Sequence, residues 1–318
     1  MTPSQQRWLA DLLLEGAPLD AIEQALTAQG MSNEQALEQI EAILTSPVFA
    51  AARPKVQLGQ RLAAAADLHQ KVCHHQGEVP SKQALTPERF YQEWLAHHQP
   101  VILKGFAAGW PALEWSVDRL IERLGDQPID VLVGRDQAHH PDRDFKQLVR
   151  SIKPAQWAEM IHEPGNDTYL VARNHLMQSP RGEQLILDTP IDASWVRKAD
   201  ILECCSLWMG PKGTYTALHH DNCHALFVQL VGRKRFELAS PLTVDALVET
   251  DPFYHRQRDL RKVCADERIM VANLEPGDAL FLPVGWWHQA TALDTSIGMS
   301  FNGLHAPNDY SDYCPGRL

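Results

Sequence analysis

Several things are scarce in this chain of 318 residues, and each scarcity argues against a class of function. Six cysteines (Cys73, Cys204, Cys205, Cys223, Cys264 and Cys314) are scattered without a CxxC pair or a regular spacing. That pattern argues against a zinc-thiolate site and a disulfide framework, and reads as reduced thiols. No stretch approaches the ~20 consecutive apolar residues of a membrane span. The N-terminus also lacks the basic and then apolar order of a secretory signal. A cytoplasmic protein with no membrane association is the expectation. Positive charge is short as well: 29 Lys and Arg stand against 40 Asp and Glu, for a net charge of −11. General nucleic-acid binding rests on a basic field, so nucleic acid is not the expected partner. Internal repeats and low-complexity tracts are absent.

What is present divides into a helical and a strand-rich part. Residues 1–46 read as a three-helix bundle: Trp8, Leu9, Leu12 and Leu13 recur at helical spacing, as do Leu19, Ile22 and Leu26. "SNEQALEQIEAIL" starts with a capping-box pattern, Ser32 with Gln35 three residues on. Residues 47–83 read as a helical linker, with helix after Pro54 and the turn-rich "QGEVPSK" at its end. Thr86 and Pro87 then form a helix start, and residues 84–318 read as one further domain. "PVILKGF" and "DTYLVARN" read as strands, and "WSVDRLIERLGDQPIDVLVG" as a helix running into a strand. From about residue 200 short strands dominate, separated by turns such as "EPGD" (Glu275 to Asp278), a pattern that implies a barrel or sandwich.

The histidine-rich run "TALHHDNCHALF" lies in one of these strands. Side chains alternate faces in a strand, so Tyr215, Ala217, His219 and Asp221 share one side, and Thr216, Leu218 and His220 the other. His219 and Asp221 thus offer a nitrogen and an oxygen to one ion. His288, after the hydrophobic "GDALFLPVGWW", is the best candidate for a third ligand. Two histidines and a carboxylate suit Fe(II) with open positions left over; zinc, or a silent site, fits the same residues. His224, His255 and His305 read as surface or supporting residues. Trp286 and Trp287 are expected to help shield the site, though plain core packing reads at least as well for Trp286.

A second signal is independent of the metal. In "VGRKRFELASP", Lys234, Phe236 and Leu238 share the apolar face, and Arg233, Arg235 and Glu237 the other. A buried ammonium needs an anionic partner. A dicarboxylate ligand such as 2-oxoglutarate supplies one; the alternative is a lysine that snorkels to water at the hairpin end.

"GTYTALHHDNCHALFVQLVGRKRFELASP" and "LEPGDALFLPVGWWHQATALDTSIGMSF" together resemble the cupin-like JmjC oxygenases, which depend on Fe(II) and 2-oxoglutarate. The likeness is nearest to the small JmjC hydroxylases, such as the asparaginyl hydroxylase of hypoxia-inducible factor. It covers about residues 84–305 and leaves out the N-terminal helices. The resemblance implies a mainly β fold, a double-stranded β-helix (jelly-roll) core with flanking helices. It implies iron held by His219, Asp221 and His288, and a distal 2-oxoglutarate carboxylate held by Lys234 with Thr216 and Tyr169. Phe227 and Ser300 would line the cosubstrate pocket. Two positions depart from the family pattern: Ala225 and Ser300 stand where many members have asparagine. The activity implied is a dioxygenase that takes Fe(II), 2-oxoglutarate and O₂ and hydroxylates a side chain of a protein or peptide. A tRNA-nucleoside or small-molecule hydroxylase is the alternative within the same chemistry, and a catalytically idle cupin-like binding protein the alternative outside it. The N-terminal helices are the expected means of recruiting a polypeptide or of forming a homodimer.

Overall fold

The computed structural model describes all residues except 74–76, 173, 244–246, 248–252 and 314–318, so Cys314 and Arg173 lie outside the described residues. The chain divides into two compact units, Met1–Val72 and Cys73–Leu318. The first is helical: α1 (Pro3–Glu15), α2 (Leu19–Ala28), α3 (Asn33–Leu44) and α4 (Pro47–Val72). Capping boxes start α1 and α3. Thr2 accepts the Gln5 N–H at 3.3 Å and Ser32 accepts the Gln35 N–H at 3.2 Å, while each glutamine side chain accepts the cap N–H in return. Leu9, Leu13, Ile22, Leu26, Ala36, Ile40 and Phe49 form its core. Helix α4 begins seven residues before Pro54 rather than after it, because Pro47 is at the first helical position and the Ser46 carbonyl accepts the Ala50 N–H at 3.0 Å. The helix runs on through Pro54, which has no backbone N–H to donate.

Fourteen strands are assigned among the described residues of the second unit: β1 (Gly77–Glu78), β2 (Ser81–Gln83), β3 (Val101–Lys104), β4 (Ile129–Val133), β5 (Val149–Ile152), β6 (Thr168–Tyr169), β7 (Cys205–Gly210), β8 (Tyr215–His219), β9 (Ala225–Val231), β10 (Lys234–Ala239), β11 (Met270–Leu274), β12 (Ala279–Leu282), β13 (Trp287–Ala292) and β14 (Ser296–Phe301). They form a five-stranded sheet in the order β1-β11-β10-β13-β8, a six-stranded sheet in the order β2-β3-β12-β9-β14-β7, and a small sheet β5-β4-β6. The two large sheets are antiparallel apart from β1 on β11 and β2 on β3. Between them lies a core that takes Phe227, Leu280 and Leu282 from the six-stranded sheet and Phe236, Leu238 and Ala290 from the five-stranded one. This is a double-stranded β-helix.

The six-stranded sheet is covered on its other face too, by Phe90, Trp94, Trp110 and Trp157 of the flanking helices and loops, among others. Strands buried on both faces lose the apolar–polar alternation, as "ALFVQLV" and "SIGMSF" do, where the polar residues Gln229, Ser296 and Ser300 are themselves buried. The β11–β12 turn is stapled by Asp278, which accepts from the Glu275 and Gly105 N–H groups at 3.0 and 3.1 Å and from Lys104 at 2.7 Å. "DTYLVARN" is strand only over Thr168–Tyr169, a correction to the longer strand expected. Beyond it, Asn174 bonds the carbonyls of Val171 and Leu207 and the Leu176 N–H, so a side chain takes over what ladder bonds would do.

Gly232 turns β9 into β10, at φ +69°, with a Cβ position only 2.2 Å from the Thr295 carbonyl oxygen. Gly232→Ala therefore carries both left-handed strain and a backbone collision. It is expected to cost about 2–3 kcal/mol in urea denaturation of the strand-rich unit, and an unchanged midpoint would contradict this turn geometry.

Candidate metal and cosubstrate site

The site is built where β8 meets β13. His219 is the register partner of His288, and their ring centroids lie 4.2 Å apart. Asp221 follows two residues later, and its carbonyl accepts the Gly285 N–H at 2.9 Å. That bond ties the His-x-Asp stretch to the loop leading into His288. One potential ligand atom from each of His219, Asp221 and His288 lies within 4.8 Å of the others, and among the described residues no other group of this kind forms. The His288 Nε2 stands 3.8 Å from an Asp221 oxygen.

The tautomer of both rings is set by their neighbours. His219 Nδ1 is 2.7 Å from the Ala217 carbonyl and His288 Nδ1 is 2.9 Å from the Trp286 carbonyl. A carbonyl only accepts, so both Nδ1 atoms carry hydrogen, and Nε2 is the atom each ring has left to offer a metal. Burial, and then the neighbouring His219, push the His288 imidazole down to about 4, which keeps it neutral and ready to ligate. Two imidazole nitrogens and one carboxylate converge with no thiolate among them: burial holds the nearby Cys223 thiol up at about 12. This donor set fits Fe(II) bound on one face.

The three groups open into a cavity of about 360 Å³ that also contains Lys234, Tyr169, Thr216, Phe227 and Ser300. Lys234 lies on β10 opposite Ala292, four residues from Leu238, which faces His288. That offset is about 13 Å along the strand, room for a lysine side chain and a short dicarboxylate between them. Lys234 is only 3% exposed, so it does not snorkel to solvent. Its Nζ donates to Tyr169 Oη at 2.9 Å and lies 4.8 Å from the Phe227 ring centroid, with Tyr169, Trp208 and Phe236 around it. Among the described residues no carboxylate lies within ion-pair distance of it. A buried lysine in an aromatic cage, with a tyrosine hydroxyl as its hydrogen-bond partner, suits an anionic ligand in the cavity.

Strict alternation misplaces Thr216. It lines the same cavity as His219, although an odd number of positions separates them. The register explains this: His219 pairs with His288 but Thr216 pairs with Ala290, so β8 spends three steps where β13 spends two. The extra residue is a β-bulge at Ala217–Leu218, and it turns Thr216 back toward the site. Trp286 and Trp287 do not line the cavity, which corrects the expected shield. Trp286 Nε1 donates to the His98 carbonyl at 3.0 Å, and Trp287, next to His288 in the strand, points to the opposite face against His220 and His255. Trp208 and Tyr254 line the cavity instead, neither of them expected from the sequence. Trp208 Nε1 donates to Ser300 Oγ at 3.0 Å, and Tyr254 stacks on the His219 ring at 5.7 Å. Parity in "LWMG" carried the signal for Trp208; nothing local carried one for Tyr254. Ala225 and Asn302 complete the wall near Ser300.

His224 and His255 are buried rather than on the surface, and His305 is exposed, with its Nε2 on the Ala193 carbonyl at 2.6 Å. His224 Nδ1 accepts the Val284 N–H at 3.0 Å, and His98 Nε2 donates to the Val284 carbonyl at 2.7 Å. The pair grips the loop that carries His288. Burial, with His98 second, lowers His224 to about 4 from the ordinary 6.5. Between those values the unfolded chain holds a proton that the folded chain refuses, so stability falls as pH drops through 6.5 toward 4. His224→Gln keeps an acceptor for Val284 without titrating. Metal-free His224→Gln is therefore expected to lose less unfolding free energy than the parent between about pH 7 and 5 in urea melts; equal losses would contradict this assignment.

Residues 87–305 match the family model described as "Cupin-like domain". Over 234 residues the chain is 26% identical to "Lysine-specific demethylase 8" of Xenopus tropicalis, covering 70% of this chain and 52% of that protein. It is 25% identical to "tRNA wybutosine-synthesizing protein 5" of Gallus gallus, covering 74% of this chain and 80% of that protein. It is 24% identical to "2-oxoglutarate and iron-dependent oxygenase JMJD4" of Danio rerio, covering 72% and 57%. The chain thus spans little more than half the length of the demethylase and of JMJD4. Fe(II), 2-oxoglutarate and O₂ are the cofactor and cosubstrates of these oxygenases, and the donor set and caged lysine fit the first two. No helix among the described residues is long and apolar enough to cross a membrane. With its residues 87–305 matched and its histidine and carboxylate donors converged, the chain belongs to the cupin-like JmjC family of Fe(II)- and 2-oxoglutarate-dependent oxygenases.

Proposed function

We propose that this chain is a hydroxylase of a protein or peptide side chain, with His219, Asp221 and His288 holding Fe(II) and Lys234, Tyr169 and Thr216 holding the distal carboxylate of 2-oxoglutarate. The observation that carries this reading is Lys234, buried and caged without a carboxylate partner among the described residues, in one cavity with the two histidines and the aspartate. When bound, the iron with 2-oxoglutarate and O₂ supplies the oxidant for a C–H bond: one oxygen atom enters the substrate as hydroxyl, the other enters succinate, and CO₂ leaves. The chain's own work is to hold and to exclude. The Ala217 and Trp286 carbonyls keep both Nε2 lone pairs aimed at the metal. Lys234 and Tyr169 fix one end of the cosubstrate, while Phe227, Phe236 and Leu282 keep water from it. Tyr254, over His219, is placed to meet the substrate. The helical unit Met1–Val72 is assigned to recruiting the polypeptide or to pairing two chains.

A tRNA substrate is the second reading, favoured by the 80% coverage of the wybutosine-synthesizing relative and opposed by the net charge of −11. Oxidation at an N-methyl group, the reaction in the name of the demethylase relatives, would release formaldehyde.

The test is 2-oxoglutarate turnover with Fe(II) and O₂, reading succinate, formaldehyde and the mass of peptide and tRNA products. The proposal expects succinate together with a peptide heavier by one oxygen atom, without formaldehyde. An oxidised nucleoside or formaldehyde instead moves the substrate class. No succinate under any condition supports an idle binding protein. Lys234→Ala is expected to raise the KM for 2-oxoglutarate about 10- to 100-fold, the worth of one charge-assisted bond.

A further inference from the structure

The bulge that brings Thr216 into the cavity lies on β8, the edge strand of its sheet, and bulges leave backbone groups without ladder partners. Here those groups are taken by side chains from a distant stretch. Asp142 Oδ2 accepts the Ala217 N–H at 2.9 Å, and Asp142 Oδ1 pairs with Arg135 Nη1 at 2.8 Å. Arg135 Nη2 donates to the Tyr215 carbonyl at 2.6 Å, and Asn166 Oδ1 accepts the Tyr215 N–H at 2.8 Å. Arg135 also donates to the Asn166 carbonyl at 3.2 Å. On the far side of the bulge the edge is taken over by backbone: Leu218 N–H bonds the Arg258 carbonyl and His220 N–H the Phe253 carbonyl, both at 3.0 Å. The outward-facing groups therefore switch from residues 215 and 217 to residues 218 and 220, and Asp142 holds the last group before the switch.

We propose that Asp142, Arg135 and Asn166 are positioning residues: they clamp the β8 bulge, and through it set Thr216 and His219 together toward one cavity. This rests on the reading of that cavity as the iron and 2-oxoglutarate site. Two outputs leave the clamped backbone. Tyr215, gripped at both its N–H and its C=O, precedes Thr216. Ala217, gripped at its N–H, uses its carbonyl to hold the His219 Nδ1 at 2.7 Å. The Arg135 guanidinium also lies 5.3 Å from the centre of the Tyr169 ring, whose hydroxyl meets Lys234. A register clamp explains why a fully buried arginine is paired with Asp142, a 9% exposed aspartate on the cavity wall whose two oxygens are taken by Arg135 and the Ala217 N–H. A β8 without the bulge would keep strict alternation along β13 and send Thr216 to the other face.

The test uses the full chain carrying Asn166→Ala or Asp142→Asn, well below the melting temperature of each. Mn(II) affinity, 2-oxoglutarate affinity of the Mn(II)-loaded protein, and the visible spectrum of the Co(II) form are measured. Asn166→Ala removes the acceptor of the Tyr215 N–H and two longer bonds from Arg135 at 3.4 Å, but leaves Asp142 on Ala217 and on Arg135 Nη1. It is expected to weaken 2-oxoglutarate about five- to tenfold, one hydrogen bond's worth, and to leave Mn(II) within about twofold. In the double variant with Thr216→Val it should add no more than about twofold to the effect of Thr216→Val alone. Asp142→Asn is expected to weaken Mn(II) and 2-oxoglutarate together, each about tenfold, and to shift the Co(II) bands as His219 loses its orientation. Unchanged affinities and spectrum in both folded variants, with only a lower melting temperature, would overturn the proposal and leave the network a scaffold. If Asp142→Asn fails to fold, Asn166→Ala and its double variant decide. If the parent holds Mn(II) but no 2-oxoglutarate, the cosubstrate reading fails, and the clamp stands or falls on Mn(II) and the Co(II) spectrum of Asp142→Asn.

Discussion

The antiparallel pairing of β8 with β13 fixes the site, because it stands His219 opposite His288 and leaves neither ring free to turn. Each Nδ1 is held by a carbonyl two residues back along the chain, so each Nε2 is turned toward the space between them. A slip of one residue in this ladder would send a histidine to the other face of the sheet and dissolve the donor set. The loop before His288 is restrained with the same economy. Asp221 holds it at Gly285, and His98 and His224 hold it from both sides at Val284.

Lys234 is the complement to that pairing. Its strand packs against β13, so the same ladder that sets His288 also sets the distance from the histidines to the ammonium. Tyr169 reaches it from the small sheet, and Phe227 from the six-stranded sheet, which places the proposed cosubstrate pocket between the two large sheets. An apolar cage around a charge is costly in the absence of an anion. The cavity is thus organised at one end for a cation and at the other by one.

Much of this was legible in the chain. Strand parity separates His219 and Asp221 from His220, and the inward parity of Lys234 with Phe236 is what the structure has. The β-rich fold follows from short apolar runs between turns, which lose their alternation where a strand is covered on both faces. Other features were hidden for physical reasons. Alternation assumes an unbroken ladder, so the bulge at Ala217–Leu218 put Thr216 on the wrong side. Parity did bear on Trp287, which as the neighbour of His288 must face away from it, yet the aromatic composition suggested a shield. His224 is buried because its partner Val284 lies 60 residues away, beyond any local pattern. Arg135 and Asp142 stand in the polar stretch "GRDQAHHPDRD", which has the composition of a surface loop, and only the edge of β8 gives two such charges a reason to be buried.

The claim that the histidine and carboxylate donors and Lys234 form one iron and 2-oxoglutarate site is tested most directly by anaerobic titration of the Fe(II)-loaded protein with 2-oxoglutarate, followed by visible absorption. The account predicts a metal-to-ligand charge-transfer band that saturates at one cosubstrate per chain, needs far more 2-oxoglutarate in Lys234→Ala, and is absent in Asp221→Ala. No band in the parent protein, or an equal band in Asp221→Ala, would contradict it.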